Sequence, residues 1–115
     1  MEHEDRNQII RHKMLKEIQD IQAFIDGQSL ESLLSDTLRQ KAIVMSLINI
    51  GELSKSFTER YLPLMPQIPW RDIRAFRNIA AHQYGKIIFQ DVYKTIQEDI
   101  PVLQQALLQC PEHDL

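Results

Sequence analysis

Ile10-Arg11-His12-Lys13-Met14-Leu15-Lys16-Glu17-Ile18-Gln19-Asp20-Ile21-Gln22-Ala23-Phe24-Ile25-Asp26-Gly27 decides the fold class. Its apolar residues Ile10, Met14, Ile18, Ile21 and Ile25 step by three or four, so they line one face of an α-helix. Asp26-Gly27 closes that helix, since glycine takes the left-handed backbone of a C-terminal cap without steric cost. The same spacing recurs along the chain, and no stretch alternates as a strand would. With only 3 glycines and 5 prolines in 115 residues, the chain reads as all-α.

Working outward, Leu30, Leu33 and Leu34 form a short connecting turn of helix. A second main helix starts near Asp36 or Thr37, whose side chains suit an N-cap, and runs to about Arg60. Its apolar positions form two stripes, Leu38-Ala42-Met45 with Leu53 and Ile43-Leu47-Ile50-Phe57, so it has two partners. One is the first helix, and the other is a later helix or a second protomer. Pro63, Pro66 and Pro69 break the chain in a loop anchored by Leu62, Leu64, Met65 and Ile68. A third main helix begins near Trp70 or Arg71 and ends near Tyr84 with Gly85 as its stop. The last helix carries Phe89, Val92, Tyr93, Ile96, Ile100, Leu103 and Leu107 on one face, with Pro101 kinking or dividing it. The expectation is a small up-and-down bundle of four to five helices forming one domain over residues 1–115. Trp70 reads as a core anchor, and Met14, Met45 and Met65 as core filler.

A chain of this size has room for one core, and burial against a second copy would help it, so a dimer fits. No uncharged apolar run could span a bilayer. The start, Met1-Glu2-His3-Glu4-Asp5-Arg6, is acidic and lacks the apolar centre of a signal peptide, which points to the cytoplasm. Cys110 is the only cysteine and cannot form an internal disulfide. No zinc spacing occurs, and His3, His12 and His113 lack ligand-like neighbours, so no metal and no cofactor are assigned. The formal net charge is −3. Arg71, Arg74, Arg77, His82 and Lys86 nevertheless fall in one short segment whose single acid is Asp72. A local basic strip on an acidic body suits a selective RNA site better than a general nucleic-acid coat.

The chemistry concentrates in Arg77-Asn78-Ile79-Ala80-Ala81-His82-Gln83-Tyr84-Gly85. Arg77 can hold a phosphate by paired hydrogen bonds and keeps its charge, while His82 can take or give a proton near neutral pH. These are parts of a phosphodiester-cleaving site, with Asn78 able to orient phosphate or imidazole. Asn78 and His82 share a helix face, but Arg77, five before His82, lies well round the cylinder. Two arrangements stay open: the guanidinium wraps toward the imidazole, or a second molecule completes the site. Gly51-Glu52 falls mid-helix, where glycine costs roughly 1 kcal/mol relative to alanine, and close helix packing is the usual compensation. Glu52 has three readings: a pair with Arg74, a pair with Arg77, or a solvated carboxylate.

The Arg-x4-His-x-Tyr pattern resembles the signature of the HEPN superfamily and, within it, the HepT-like ribonuclease toxins of two-gene toxin–antitoxin modules. Leu47-Ile48-Asn49-Ile50-Gly51-Glu52-Leu53, Pro69-Trp70-Arg71-Asp72-Ile73, the Arg77–Tyr84 motif, Asp91-Val92-Tyr93 and Asp99-Ile100-Pro101-Val102-Leu103 follow in that family's order and approximate spacing. The resemblance covers nearly the whole chain. It implies a HEPN-like homodimer with two motifs across its interface, acting as a metal-independent endoribonuclease toxin of a type VII-like system. Arg77 and His82 would be catalytic, supported by Asn78, Glu52 and Arg74. It further implies an MntA-like, ATP-using nucleotidyltransferase antitoxin that silences the nuclease by adding AMP to Tyr84. From the residues alone Tyr84 reads equally as a core phenol. The alternative function is a non-catalytic helical subunit that holds such a nucleotidyltransferase.

Overall fold

The computed structural model describes residues 3–110, with side chains from Arg6 onward. Met1, Glu2, the side chain of His3, and His113 lie outside what it describes, so the readings placed on them stand as sequence expectations. Helix α1 (His3–Ile25) is followed by the single turn α2 (Leu30–Leu34), then α3 (Thr37–Ser54), α4 (Trp70–His82) and α5 (Phe89–Gln109). Short 3-10 turns occupy Leu62–Leu64 and Tyr84–Lys86, and no strand occurs among the described residues.

The stripe that announced α1 is the centre of the core. Met14, Ile18 and Ile21 are fully buried, Ile10 nearly so, and Ile25 packs partly against them. Gly27 has φ +73°, the left-handed value its place after the helix demands. α1 runs antiparallel to α3, because cross-links join Asn7 to Thr58, Glu17 to Asn49 and Phe24 to Arg39. Asp36 caps α3, its carboxylate accepting from the Arg39 N–H at 3.0 Å. That hydrogen bond, with the Arg39 side chain beside it, holds the Asp36 carboxyl below its usual range.

Two boundaries differ from the sequence expectation, and of the two alternatives for Pro101 one is excluded. α3 ends at Ser54, well before Arg60. There the Asn7 side chain accepts from the Thr58 N–H at 3.0 Å and donates to its hydroxyl at 2.9 Å, and Arg6 donates to the Ser56 carbonyl at 2.8 Å. These bonds capture the chain for α1 in a non-helical path. Phe57 still reaches the core, where it stacks on Tyr61 with ring centroids 4.7 Å apart. α4 stops at His82, and Gly85 falls inside the following 3-10 turn without a positive φ, so it is not the helix stop. α5 continues through Pro101 instead of dividing. Pro101 and Gln97, whose carbonyl loses its partner, sit on the exposed face where water can satisfy it. Ile100, Leu103 and Leu107 anchor the other face.

The two stripes of α3 also part company. Ile43, Leu47, Ile50 and Phe57 are buried, and Ala42 and Leu53 are half-buried. Leu38 and Met45 are 83% and 56% exposed, so Met45 is not core filler, whereas Met14 and Met65 are. α3 packs against both α1 and α4, which supplies its second partner inside the chain. Trp70 is a core anchor as expected. It lies edge-on to Phe57 and donates its indole N–H to the Met65 carbonyl at 3.3 Å.

Candidate functional site

The α3–α4 contact builds the site, and Gly51 makes that contact possible. A Cβ at position 51 would stand 2.6 Å from the Arg77 Cβ and 3.3 Å from the Ile73 carbonyl oxygen, so only a residue without a side chain fits there. The helical cost of glycine is thus offset by close approach of the two backbones. Ser54, buried one turn on, donates its hydroxyl to the Gly51 carbonyl at 2.7 Å.

Next along α3, Glu52 selects among its three readings. Its carboxylate pairs with Nε of Arg77, and Lys55 approaches the same oxygen at 3.6 Å. Arg74 takes no part in the pair. Arg77 is 24% exposed, its stem against α3, and its Nη1 donates to the Asn78 side-chain oxygen at 3.0 Å. Glu52 lies against Nε as an ion pair, and of the four N–H groups on the two Nη atoms Asn78 takes one. Three remain, enough for a two-pronged grip on a phosphate.

His82 stands apart from this group. It is the exposed last residue of α4, about 140° round the helix from Arg77 at 100° per residue. Among the described residues nothing hydrogen-bonds its imidazole. The fold therefore joins Glu52, Arg77 and Asn78 and leaves His82 on a neighbouring face. Tyr84, two residues on in the 3-10 turn, is 37% exposed, with its ring 6.3 Å from that of Phe89. It is not a core phenol, whereas Tyr61 is fully buried.

The basic strip divides as well. Lys86 and Asp72 turn to an apolar groove of about 440 Å³ between α4 and α5, floored by Ile50 and walled by Ile73, Phe76 and Val92. Arg71, Arg74, Asn78 and His82 keep the free face of α4. The sequence reading missed this groove, although the apolar Ile73, Phe76 and Ile79 spacing on α4 was its signal. Among the described residues no cluster of His, Cys, Asp and Glu could hold a metal ion, and no helix is long and apolar enough to cross a membrane. Cys110 is buried and unpaired with another cysteine.

Gly51→Ala tests the contact. We expect a loss of about 1–3 kcal/mol in stability from overpacking, less the ~1 kcal/mol that alanine adds to a helix. Displacement of Arg77 should lower activity by more than that stability loss explains. Denaturant melts beside single-turnover rates at a temperature where the variant is folded would check it.

Comparison with known proteins relates the chain as a whole to a family. The model of the family described as Ribonuclease HepT-like matches residues 14–110. A Thermococcus cleftensis protein named "Probable ribonuclease HepT" is 34% identical over 87 residues, covering 76% of this chain and 79% of its own. A Methanocaldococcus jannaschii protein named as a "Putative RNase" is 28% identical over 90 residues, covering 78% of this chain and 74% of its own. No solved structure matches the chain.

Proposed function

This chain belongs to the HepT-like ribonuclease family, and on that premise we propose that it is a metal-independent endoribonuclease, the toxin half of a toxin–antitoxin pair. The observation that carries the proposal is the held guanidinium. Arg77 is fixed through Gly51, Glu52 and Asn78 with three N–H groups to spare, five residues before an exposed imidazole on the same helix. In the reaction a base takes the proton of a ribose 2′-hydroxyl, and the freed oxygen attacks the adjacent phosphorus. An acid then protonates the departing 5′ oxygen, leaving a cyclic phosphate and a 5′-hydroxyl. His82 carries a proton on one side of this exchange. Arg77 meets the charge that grows on the non-bridging oxygens, an effect that often dominates such catalysis.

Because Arg77 leans on α3 while His82 faces elsewhere, a site shared between two copies suits the geometry better than one wrapped within a chain. Leu38 and Met45, seven residues apart on one face of α3, offer apolar surface for a second protomer. Mixing Arg77→Ala with His82→Ala protein tests this arrangement. If each site takes Arg77 from one protomer and His82 from its partner, the mixed dimer holds one intact site and activity partly returns. Dimers that exchange without recovering activity, or a strictly monomeric protein, would rule it out. An accessory subunit for a nucleotidyltransferase is the competing function, and it predicts that purified protein cuts no RNA.

A further inference from the structure

We propose that Arg71 and Arg74 bind RNA phosphates beside the one that is cut, leading the strand along the free face of α4 toward its N-terminus. This rests on the ribonuclease reading above. Arg71, Arg74, Asn78 and His82 are spaced by three, four and four residues, which puts all four within an arc of about 80°. Arg77 lies outside that arc on the α3 side, and Asp72 lies outside it on the other side, lining the groove.

Pairing separates these arginines further. Arg77 is engaged by Glu52, whereas among the described residues Arg71 and Arg74 have no carboxylate partner and no hydrogen bond from their side chains. Their charge is uncompensated on a protein whose formal net charge is −3. A polyanion approaching the exposed imidazole would meet two unpaired guanidinium groups in line with His82, that of Arg71 exposed and that of Arg74 half-buried. From Arg71 to His82 the rise along the axis is about 16 Å. That matches about five nucleotides at the ~3.4 Å spacing of a stacked strand. Two cations anchored at set positions on one helix hold a phosphate chain in register without reading its bases, so they set substrate length and direction more than sequence.

The test compares wild type with Arg71→Ala/Arg74→Ala and Arg71→Lys/Arg74→Lys on a single-stranded RNA of about twelve nucleotides and on a dinucleotide. For the long RNA the alanine variant should raise KM about fivefold or more at low salt, and the log–log salt slope should shrink by about 0.7 for each arginine removed. The lysine variant should recover most of the slope because it keeps the charge. The KM ratio of variant to wild type should fall toward one on the dinucleotide. An alanine variant with the KM and salt slope of wild type on long RNA overturns the proposal and leaves the ribonuclease reading standing. So does an equal loss on both substrates that lysine does not restore. Wild type that neither binds nor cleaves RNA removes the ribonuclease reading, and this proposal with it.

Discussion

Replacing His82 by alanine should lower RNA cleavage by about a hundredfold or more, the usual worth of a positioned proton carrier. Arg77→Ala should cost a similar factor through lost stabilisation of the transition state. The two variants should differ in stability. His82 is exposed and makes no hydrogen bond among the described residues, so its removal should leave unfolding unchanged. Arg77 is half-buried and paired with Glu52, so its removal should cost up to about 1 kcal/mol, a shift of a few degrees in Tm. Cleavage of a labelled RNA in chelator, with product ends identified by mass spectrometry, reads out both. A His82→Ala protein that still cuts, or activity that chelator abolishes, would count against the 2′-hydroxyl mechanism.

The second large effect concerns Tyr84. Given a cognate nucleotidyltransferase and ATP, the Tyr84 phenol oxygen should attack the α-phosphorus, release pyrophosphate and leave AMP on the ring, and cleavage should stop. A bulky phosphate two residues beyond His82 would compete for Arg77 and obstruct RNA access. The surroundings of the three tyrosines support this choice. Tyr61 is buried in the stack with Phe57, Tyr93 is partly buried against the core, and Tyr84 is the exposed one. Intact mass followed by peptide mapping locates the adduct, and Tyr84→Phe should stay active and unmodified. Adducts on Tyr61 or Tyr93 alone, or a Tyr84→Phe protein still silenced by active enzyme, would leave inhibition by binding as the explanation.

What could be foreseen from the sequence was whatever its neighbours along the chain determine. The Ile10–Ile21 stripe is buried as its spacing predicts, and Gly27 adopts the left-handed cap. The need for close packing at Gly51 could be read from its position in a helix, and the contact with Arg77 bears it out. Features set by distant residues could not be read. α3 ends early because Asn7 captures Thr58 across 51 positions, and no local pattern announces that bond. Met45 occupies a core-like phase, yet nothing among the described residues covers it. Glu52 has Arg74 and Arg77 within plausible reach, and only the packing of α4 on α3 decides between them. Gly85 misled because a glycine after a helix is common, while Gln83 had already turned the backbone at φ −140° and ψ 52°.

The contact at Gly51 has a thermodynamic consequence. The clash it avoids involves the Cβ of Arg77, and the first atoms of that side chain lie against α3 in the folded protein. A free arginine carries about 2 kcal/mol of rotamer entropy, part of which a phosphate would otherwise have to remove on binding. Here folding removes part of it in advance, so on the proposed function an RNA phosphate would meet a side chain already immobilised near its base. More of the interaction energy would then be available for stabilising the transition state.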